Sequence, residues 1–378
     1  MKRYFNQEYT NLITQMSGQT TANQIQKTIE AKVSTKRKRG VFGPEEGKKY
    51  IVIFIDDLNM PAKEKYGAQP PIELLRQWMD TAGWYDLESK EQKFLQDIIF
   101  VTSMLPPGAG RNTVTLRYLR HFNLVYAEPF EEGSLKTIFS NILQWYIDLQ
   151  NNGSPPLPSS IKPIKDKIVD STIELYKKIQ DSPALLPTPQ KSHYIYNLRD
   201  ISKVFQGICQ AKARAFKDDN DFIKLWGHEC MRVFQDRLIN EVDQGIFEQF
   251  LKEIVKEKFK KEWGSFVTIE PLLWSHFVPT IYPDGDTTKK AYNDLYCELT
   301  DRDMLKKKCA EYLQEYNNFF LSNRMDLVLF MNAIQHVLRI VRVINTSFGH
   351  CLLVGVGGSG RKSLTTLSSY IAFSSETF

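Results

Sequence analysis

The feature that most constrains this chain is a strongly apolar segment that ends in two acidic residues. Residues 50–55 read Tyr-Ile-Val-Ile-Phe-Ile, and Asp56 and Asp57 follow directly. An uninterrupted apolar run rich in β-branched residues is typical of a parallel strand that is covered on both faces. Because parallel strands need long crossover connections, usually helices, this segment predicts an α/β fold with a parallel sheet.

Other segments extend this prediction. Residues 98–102 and 122–126 are apolar and predict two further strands, and residues 71–81 predict a helix after the first strand. Residues 1–40 are polar and predict helix in part. From Glu131 onward, amphipathic helical segments alternate with proline-rich loops. We therefore expect an α/β region followed by a helical region.

A second constraint is a glycine-rich loop far along the sequence. Residues 355–363 read Gly-Val-Gly-Gly-Ser-Gly-Arg-Lys-Ser, after a predicted strand at residues 350–354 and before a predicted helix. In that setting, backbone N–H groups and the positive end of the helix bind phosphate. The loop departs from the usual pattern, since Arg361 holds the lysine position, Lys362 holds the hydroxyl position and Ser363 comes one residue late. A glycine-rich turn without a ligand is the alternative.

The candidate phosphate-binding residues all belong to this loop and to the first turn of the helix after it. They are Gly355, Val356, Gly357, Gly358, Ser359, Gly360, Arg361, Lys362 and Ser363.

The acidic pair is typical of the second element of a nucleotide site, the Walker B strand. Asp56 would hold magnesium through water, and Asp57 would polarise the water that attacks the terminal phosphate. AAA+ ATPases usually have glutamate at the second position, and Asp57 is one methylene shorter. Turn chemistry at the end of a strand is the alternative interpretation of this pair.

The order of the two motifs is the reverse of that in a P-loop ATPase, where the phosphate loop precedes the acidic strand. Either the chain is circularly permuted, or it holds the later part of one module and the beginning of the next. Residues 98–102 suit the strand that follows Walker B, residues 111–122 resemble an arginine-finger segment, and residues 194–200 lie in a helical region like a small domain. These segments complete one module, which favours the tandem interpretation.

Composition excludes several classes of protein. The 378 residues suit two to three domains, and a net charge of +5 is too small to favour nucleic acid as a partner. Five cysteines without a Cys-x-x-Cys pair favour reduced thiols over disulfides or a zinc site. No segment reads as a signal peptide or membrane span, so we expect an intracellular protein with neither a membrane nor nucleic acid as partner.

The whole chain resembles a stretch of a dynein heavy chain, and it is most similar to the axonemal, inner-arm type. The segments that carry this resemblance occur in family order. They are residues 41–44, 54–61, 66–77, 119–123, 193–200, 225–238 and 353–360.

The resemblance implies three domains within two consecutive AAA+ modules. Residues 1–130 would form the large subdomain of the third module without its P-loop, and residues 131–260 its helical small subdomain. Residues 261–378 would begin the fourth module and end just after its P-loop. The fold class implied is an α/β, partial AAA+ parallel sheet with a helical small domain, followed by the start of a second module.

The resemblance also implies roles for single residues. Asp56 and Asp57 match the Walker B pair, with Asp56 as the metal ligand. Arg120, or less favourably Arg117, matches the arginine finger that reaches the nucleotide of the preceding module, and Arg199 matches sensor 2. At sensor 1 the family pattern is broken, because Leu105 stands where cytoplasmic dyneins have asparagine. This departure and Asp57 put hydrolysis at the third site in doubt and leave binding intact.

The implied activity is that of an ATP-driven motor ring supporting minus-end-directed movement on microtubules in cilia or flagella. The implied cofactors are ATP or ADP and magnesium. The implied partners are microtubules, contacted by regions outside this chain, other AAA+ modules of the same heavy chain, and dynein intermediate and light chains. The implied location is the cytoplasm, in the cytoskeleton of the axoneme. A stand-alone, circularly permuted P-loop NTPase is the alternative function, and the chain by itself is expected to be inactive.

Overall fold

The computed structural model describes residues 8–35, 40–108, 110–153, 155–277 and 295–374. The chain divides into two units, Met1–Glu128 and Pro129–Phe378, and each is described by itself. Within the described ranges, no helix combines the length and the apolarity needed to cross a bilayer.

The first unit is organised by a three-stranded parallel sheet in the order β1-β4-β7. Its strands are β1 (Tyr9–Gln15), β4 (Tyr50–Asp56) and β7 (Ile98–Thr102). The alternate side chains Ile51, Ile53 and Ile55 of β4 are fully buried. The continuous apolar run therefore forms the central strand of a parallel sheet, as the sequence predicts, and the register places Gln15 of β1 beside Asp56.

The described residues of the first unit also form a second, mixed sheet and three helices. The sheet has the order β2-β3-β6-β5, with strands β2 (Ser34–Thr35), β3 (Val41–Gly43), β5 (Gly83–Tyr85) and β6 (Gln92–Leu95). The helices are α1 (Ala22–Glu30), α2 (Pro70–Thr81) and α3 (Leu116–Leu119). Ile25 and Ile29 of α1 and Ile72 and Leu75 of α2 are buried in the same core as β4.

One strand of the first unit was missed, and one predicted strand is wrong. Residues 1–40 contain helix α1, as predicted, but also strand β1, whose polar composition hides it, because only Leu12 of the strand is buried. Residues 122–126 form no strand, and Leu124 and Val125 are 70% and 91% exposed. Strand formation needs a neighbouring strand to accept backbone hydrogen bonds, and no described strand lies beside this segment.

The second unit begins with a bundle of helices, as predicted. They are α4 (Glu132–Asn151), α5 (Lys165–Asp181), α6 (Leu198–Ile208), α7 (Asp219–Cys230), α8 (Glu241–Ile254) and α9 (Trp263–Phe266). Helices α7 and α8 each continue into a π-helical turn, Met231–Gln235 and Val255–Phe259. Large aromatic side chains such as Trp226 and Phe205 are fully enclosed in this bundle.

Among the later described residues of the second unit there are a short antiparallel pair and three helices. These elements are β8 (Trp274–Ser275), β9 (Cys297–Glu298), α10 (Arg302–Phe319), α11 (Met331–Asn345) and α12 (Arg361–Ser374). Ile334 and Val337 of α11 pack with Leu367 and Ile371 of α12 in a core of their own. Helix α12 is therefore anchored through its later turns, which leaves its first turn available at the surface.

A buried ion pair joins the bundle to α11. The carboxylate of Glu229 on α7 is fully buried and accepts hydrogen bonds from Arg342 on α11 and from the hydroxyl of Tyr296, the latter at 2.8 Å. Burial alone would lower the pKa of Arg342, but the charge of Glu229 outweighs it and raises that pKa. Nearby, Gln206 of α6 and Gln210, two residues after that helix, donate to the Ser347 carbonyl and the Thr346 hydroxyl at 2.8 and 2.7 Å.

Candidate functional site

The acidic pair lies at the carboxyl end of the central strand of the parallel sheet. Asp56 is the last residue of β4. Its Oδ1 accepts hydrogen bonds from the hydroxyl of Ser103, which follows β7, and from the backbone N–H of Asp57 at 3.1 Å. In open α/β sheets, ligands bind outside the carboxyl ends of the strands, so the position of the pair suits a ligand site.

Asp57 leaves the strand in an unusual backbone conformation. Its φ angle is +56°, in the left-handed region that non-glycine residues seldom adopt. A tight turn holds it there: the Leu58 N–H donates to the Ser103 carbonyl at 3.0 Å, and the Met60 N–H donates to the Asp57 carbonyl at 2.9 Å. The turn therefore fixes the direction in which the Asp57 carboxylate leaves the chain.

Both oxygens of the Asp57 carboxylate have partners. Gln15, the last residue of β1, donates from Nε2 to Oδ2 at 2.9 Å. Arg111 forms an ion pair with Oδ1 through Nη1 at 2.8 Å. Three separate segments of the chain thus meet at one carboxylate.

Hydrogen bonds fix the segment that carries Arg111 to the residues after β4. The Asn112 N–H donates to the Asn59 carbonyl at 3.0 Å, and the Asn112 side chain donates to the Pro61 carbonyl at 2.9 Å. The fully buried side chain of Asn59 donates to the Leu105 carbonyl at 2.7 Å. The side chain of Leu105, at the position matched to sensor 1, is 56% exposed. The segment therefore contributes its backbone here and offers no polar side chain at that position.

The residues at the end of β4 fit a magnesium ion by their chemistry. Magnesium prefers oxygen ligands and is usually held by one or two carboxylates, with phosphate and water completing its shell. Asp56, hydrogen-bonded by Ser103, offers such a carboxylate. Nowhere in the described part do three or more His, Cys, Asp or Glu side chains gather into a metal cage. A metal here would depend on nucleotide oxygens for its remaining ligands.

The two candidate arginine fingers lie at the short helix α3. Arg120, directly after the helix, pairs with Asp80 of α2 at 2.7 Å. This contact with Arg120 lowers the pKa of Asp80. Arg117, within the helix, is exposed, and the side chain of Thr115 caps its backbone N–H. In the first unit Arg120 is therefore tethered to α2, while Arg117 extends into solvent.

The candidate sensor 2 residue lies in the second unit, at the start of α6. Arg199 is exposed in the first turn of the helix, between the capping residue Asn197 and Asp200. Asp200 is buried and accepts hydrogen bonds from the Asn197 N–H at 3.1 Å and from Arg237 at 3.0 Å. The capping box fixes the backbone of Arg199 and leaves its guanidinium group free to meet solvent or ligand.

The glycine-rich loop takes the predicted form in its second half. Gly358 and Gly360 have φ angles of +79° and +74°, which other residues would adopt only with strain. Helix α12 starts at Arg361, and the Leu364 N–H donates to the Gly360 carbonyl at 2.9 Å. Residues 355–362 are all exposed. The loop therefore lies directly at the positive end of a helix, as phosphate binding requires.

The strand predicted before this loop, residues 350–354, does not form. Leu352 and Val354 are 87% and 83% exposed, and the segment has no regular structure. The physical reason is the same as for residues 122–126, since none of the described strands lies beside it to pair with its backbone.

Three family models match the chain in succession. "P-loop containing dynein motor region" matches residues 1–130, "AAA+ lid domain" matches residues 168–265, and "P-loop containing dynein motor region D4" matches residues 325–377.

Similar proteins cover almost the whole chain. Dynein axonemal heavy chain 1 of Mus musculus is 43% identical over 376 residues, which is 98% of this chain. The Homo sapiens protein of the same name is 44% identical over 371 residues, or 97% of this chain. Dynein axonemal heavy chain 12 of Homo sapiens is 42% identical over 375 residues, also 97%. The chain belongs to the dynein heavy chain family.

The chain spans a small part of these dynein heavy chains. It covers 8% of both heavy chain 1 proteins and 12% of heavy chain 12. Each match runs as one continuous stretch, so the dynein relatives share the order of acidic strand first and glycine-rich loop later. The predicted AAA+ α/β fold with a helical lid is thereby confirmed, and nothing supports a permuted, stand-alone NTPase.

Sequence reasoning did not find all the residues around the dynein acidic pair. It assigned no role to Gln15, Ser103 or Arg111, which contact Asp56 and Asp57. One signal was available for two of them: Gln15 and Ser103 stand at or just after the ends of strands that flank β4, and parallel strands place such residues at one edge. Arg111 begins the segment compared with an arginine finger, but no local pattern indicated a contact with Asp57.

Proposed function

We propose that this chain is part of the ATP-driven motor ring of a dynein heavy chain that moves toward the minus ends of microtubules in cilia or flagella. The observation that carries the proposal is the continuous similarity to axonemal heavy chains over 97–98% of the chain. In the cell it would lie in the cytoskeleton of the axoneme. Microtubule contact would belong to regions outside these residues.

Within that ring we place the chain across the third and fourth modules. Residues 1–130 would be the large subdomain of the third, residues 131–260 its small subdomain, and residues 261–378 the start of the fourth. Two observations support this division: the lid family matches residues 168–265, and the family described as region D4 matches residues 325–377.

The acidic pair would serve the nucleotide of the third module. Asp56 would position magnesium beside the phosphates, and Asp57 is the candidate for polarising water. Both lie at the carboxyl end of β4. When bound, magnesium would neutralise charge on the phosphates. The chain's own contribution is to hold the Asp56 carboxylate through Ser103 and the Asp57 N–H.

The glycine-rich loop would serve the nucleotide of the fourth module. Residues 355–360 would present backbone N–H groups, and Arg361, Lys362 and Ser363 would add side-chain contacts from the first turn of α12. Arg361 would replace the usual lysine as the cation at the phosphates. A guanidinium group forms bidentate bonds to phosphate, so this replacement suits tight binding.

The candidate arginines would act in two ways, one at the nucleotide of another module and one as sensor 2. Arg120, with Arg117 as the less favoured choice, would reach the nucleotide of the preceding module, which requires Arg120 to leave Asp80. Arg199 would be sensor 2. The partners would be the other AAA+ modules, dynein intermediate and light chains, and microtubules, with neither nucleic acid nor membrane involved.

The test uses the full heavy chain with Asp56→Asn. We expect weaker magnesium-dependent nucleotide binding and slower microtubule gliding, because the carboxylate that orients the metal is lost. Lys49→Ala, at an exposed ion pair with Glu8, is the matched control and should leave both unchanged. Unchanged nucleotide binding and gliding in Asp56→Asn would contradict the proposal.

A further inference from the structure

We propose that Arg111 is a positioning residue which, together with Gln15, clamps the Asp57 carboxylate, so that this nucleotide site retains nucleotide but hydrolyses it slowly. The inference rests on the proposed function and concerns the same site. Its basis is that Arg111 and Gln15 occupy both oxygens of Asp57, at 2.8 and 2.9 Å.

The environment of the ion pair shows that it is more than a contact between two mobile surface side chains. The side chains of Arg111 and Asp57 are only 19% and 21% exposed, and the Arg111 Nη1 atom is buried against the carboxylate as an ion pair without hydrogen-bond geometry. A largely desolvated guanidinium group needs a carboxylate beside it, because an unpaired charge at such a place is costly. Arg111 therefore has a physical reason to stay on Asp57.

Both ends of the clamp are rigidly held. The segment of Arg111 is pinned by Asn112, whose N–H and side chain bind the carbonyls of Asn59 and Pro61. Gln15 ends β1, which pairs with β4 along its whole length. Asp57 itself is fixed in a left-handed turn. Backbone structure thus brings the three segments together at one carboxylate.

The clamp has a chemical consequence for hydrolysis. A carboxylate that polarises water must accept a hydrogen bond from that water and stabilise the positive charge that develops on it. The guanidinium charge beside one oxygen and the amide N–H at the other compete with a water molecule for the Asp57 carboxylate. The shorter side chain adds to this effect, since it cannot reach past its partners as a glutamate could.

Nucleotide binding does not depend on the same contacts. The candidate metal ligand, Asp56, is held by Ser103 and by the Asp57 N–H, neither of which involves Arg111 or Gln15. The two carboxylates therefore have separate roles: Asp56 serves binding, and Asp57 is restrained by its partners. A site of this kind would influence the neighbouring modules mainly by whether nucleotide is bound, and less by hydrolysis.

The experiment uses a full heavy chain in which the acidic pairs of the other modules are replaced, so that the remaining turnover comes from this site. Arg111→Met keeps length and removes charge, and Arg111→Lys keeps the charge. A general base contributes about 10²–10⁴-fold, so we expect Arg111→Met to raise single-turnover phosphate release by about tenfold or more. Arg111→Lys should restore the slow rate, and nucleotide affinity should stay the same in both variants.

Controls separate the clamp from a merely structural ion pair. Lys49→Met removes an exposed cation just before the start of β4, the end of that strand away from this contact, and should change neither rate nor affinity. Gln15→Leu removes the second partner and should also raise phosphate release, by less than Arg111→Met because only a neutral donor is lost. If Arg111→Met does not fold, Gln15→Leu decides the matter, and an unchanged or lower rate there overturns the clamp.

The outcomes distinguish this inference from the function on which it rests. If Asp56→Asn leaves nucleotide binding unchanged, the proposed function is wrong. If Asp56→Asn weakens binding while Arg111→Met leaves hydrolysis unchanged or lowers it, only the clamp is wrong. Faster hydrolysis in Arg111→Met together with a slow rate in Arg111→Lys would support both.

Discussion

At the scale of single residues, charge pairs hold the helical bundle together at buried points. Asp200 is the clearest case, because it is buried to 2% exposure and contacts both Asn197 and Arg237. Burial alone would raise its pKa, but hydrogen bonding and charge from Arg237, with a further bond from the Asn197 N–H, lower that pKa below its ordinary value. The charged form is therefore the one that the folded state favours.

A pH-dependent difference in stability follows for Asp200. Because its folded pKa is lowered, its contribution is fully present above the unfolded value of about 4 and is lost as pH falls through the lower folded pKa. We expect Asp200→Asn to reduce the free energy of unfolding by about 2 kcal/mol at neutral pH. Denaturant unfolding of both proteins should show this difference shrinking below about pH 4. A difference that stays constant in acid would contradict the argument.

Candidate site residues could be proposed from the sequence where they are contiguous in it. Asp56 and Asp57 end one apolar run, and the glycine-rich loop stands directly before a helix. Arg111 could not be predicted, because its role arises only when its segment is hydrogen-bonded to the residues after β4. Contacts of this kind are set by the path of the backbone, which no local pattern encodes.

At the scale of secondary-structure elements, the close packing of α6 against α7 depends on a glycine. Gly207 of α6 lies so near α7 that an added Cβ would come within 1.7 Å of Glu229 Oε2 and 2.7 Å of Arg342 Nη2. The buried ion pair between α7 and α11 therefore occupies the space that any side chain at position 207 would need.

We expect Gly207→Ala to destabilise the protein by about 1–3 kcal/mol, since it forces apart groups in a packed core. The chain offers a matched control in Gly245 of α8, which is exposed and has no atom within 4 Å of an added Cβ. Gly245→Ala should be stabilising by about 0.5–1 kcal/mol, because alanine favours helix over glycine. Thermal unfolding of the two variants measures both changes in stability. Equal effects of the same sign would show that the packing argument is wrong.

Elements were predicted well where hydrophobic periodicity was strong and poorly where pairing decided the outcome. Helix α2 and strands β4 and β7 begin and end close to the predicted residues. Strand β1 was missed because its neighbour β4, and not its own composition, makes it a strand. Residues 350–354 are apolar but remain irregular for the same reason, with no described strand beside them.

At the scale of the whole molecule, the order of the motifs decides what the chain can do alone. The chain carries an acidic pair and a glycine-rich loop that the proposed division assigns to different modules. Each site in such a ring needs a phosphate loop and an acidic strand from one module and an arginine from the next. In the proposed division, the acidic pair lacks its phosphate loop and the glycine-rich loop lacks its acidic strand, so the chain contains no complete site.

We therefore expect the 378-residue chain by itself to show no ATP turnover. Loss of an arginine finger alone costs about 10³–10⁵ in rate, and each site here would lack more than that. Steady-state phosphate release from the purified chain should equal that of an Asp56→Asn and Arg361→Ala double variant. Turnover that the double variant abolishes would favour a single, permuted site.

The buried contact between Glu229 and Arg342 has a consequence for the order of events during synthesis. The N-terminus of a protein leaves the ribosome first, and N-terminal domains generally fold before the later ones are synthesised. The bundle residues Glu229, Gln206 and Gln210 therefore emerge ahead of their partners at 342–347, and those partners precede Gly355. Helix α11 would then pack against a bundle that has already folded, with Arg342 pairing with Glu229 as soon as it leaves the ribosome. The glycine-rich loop would then leave the ribosome on a chain that is already attached to the bundle a few residues upstream.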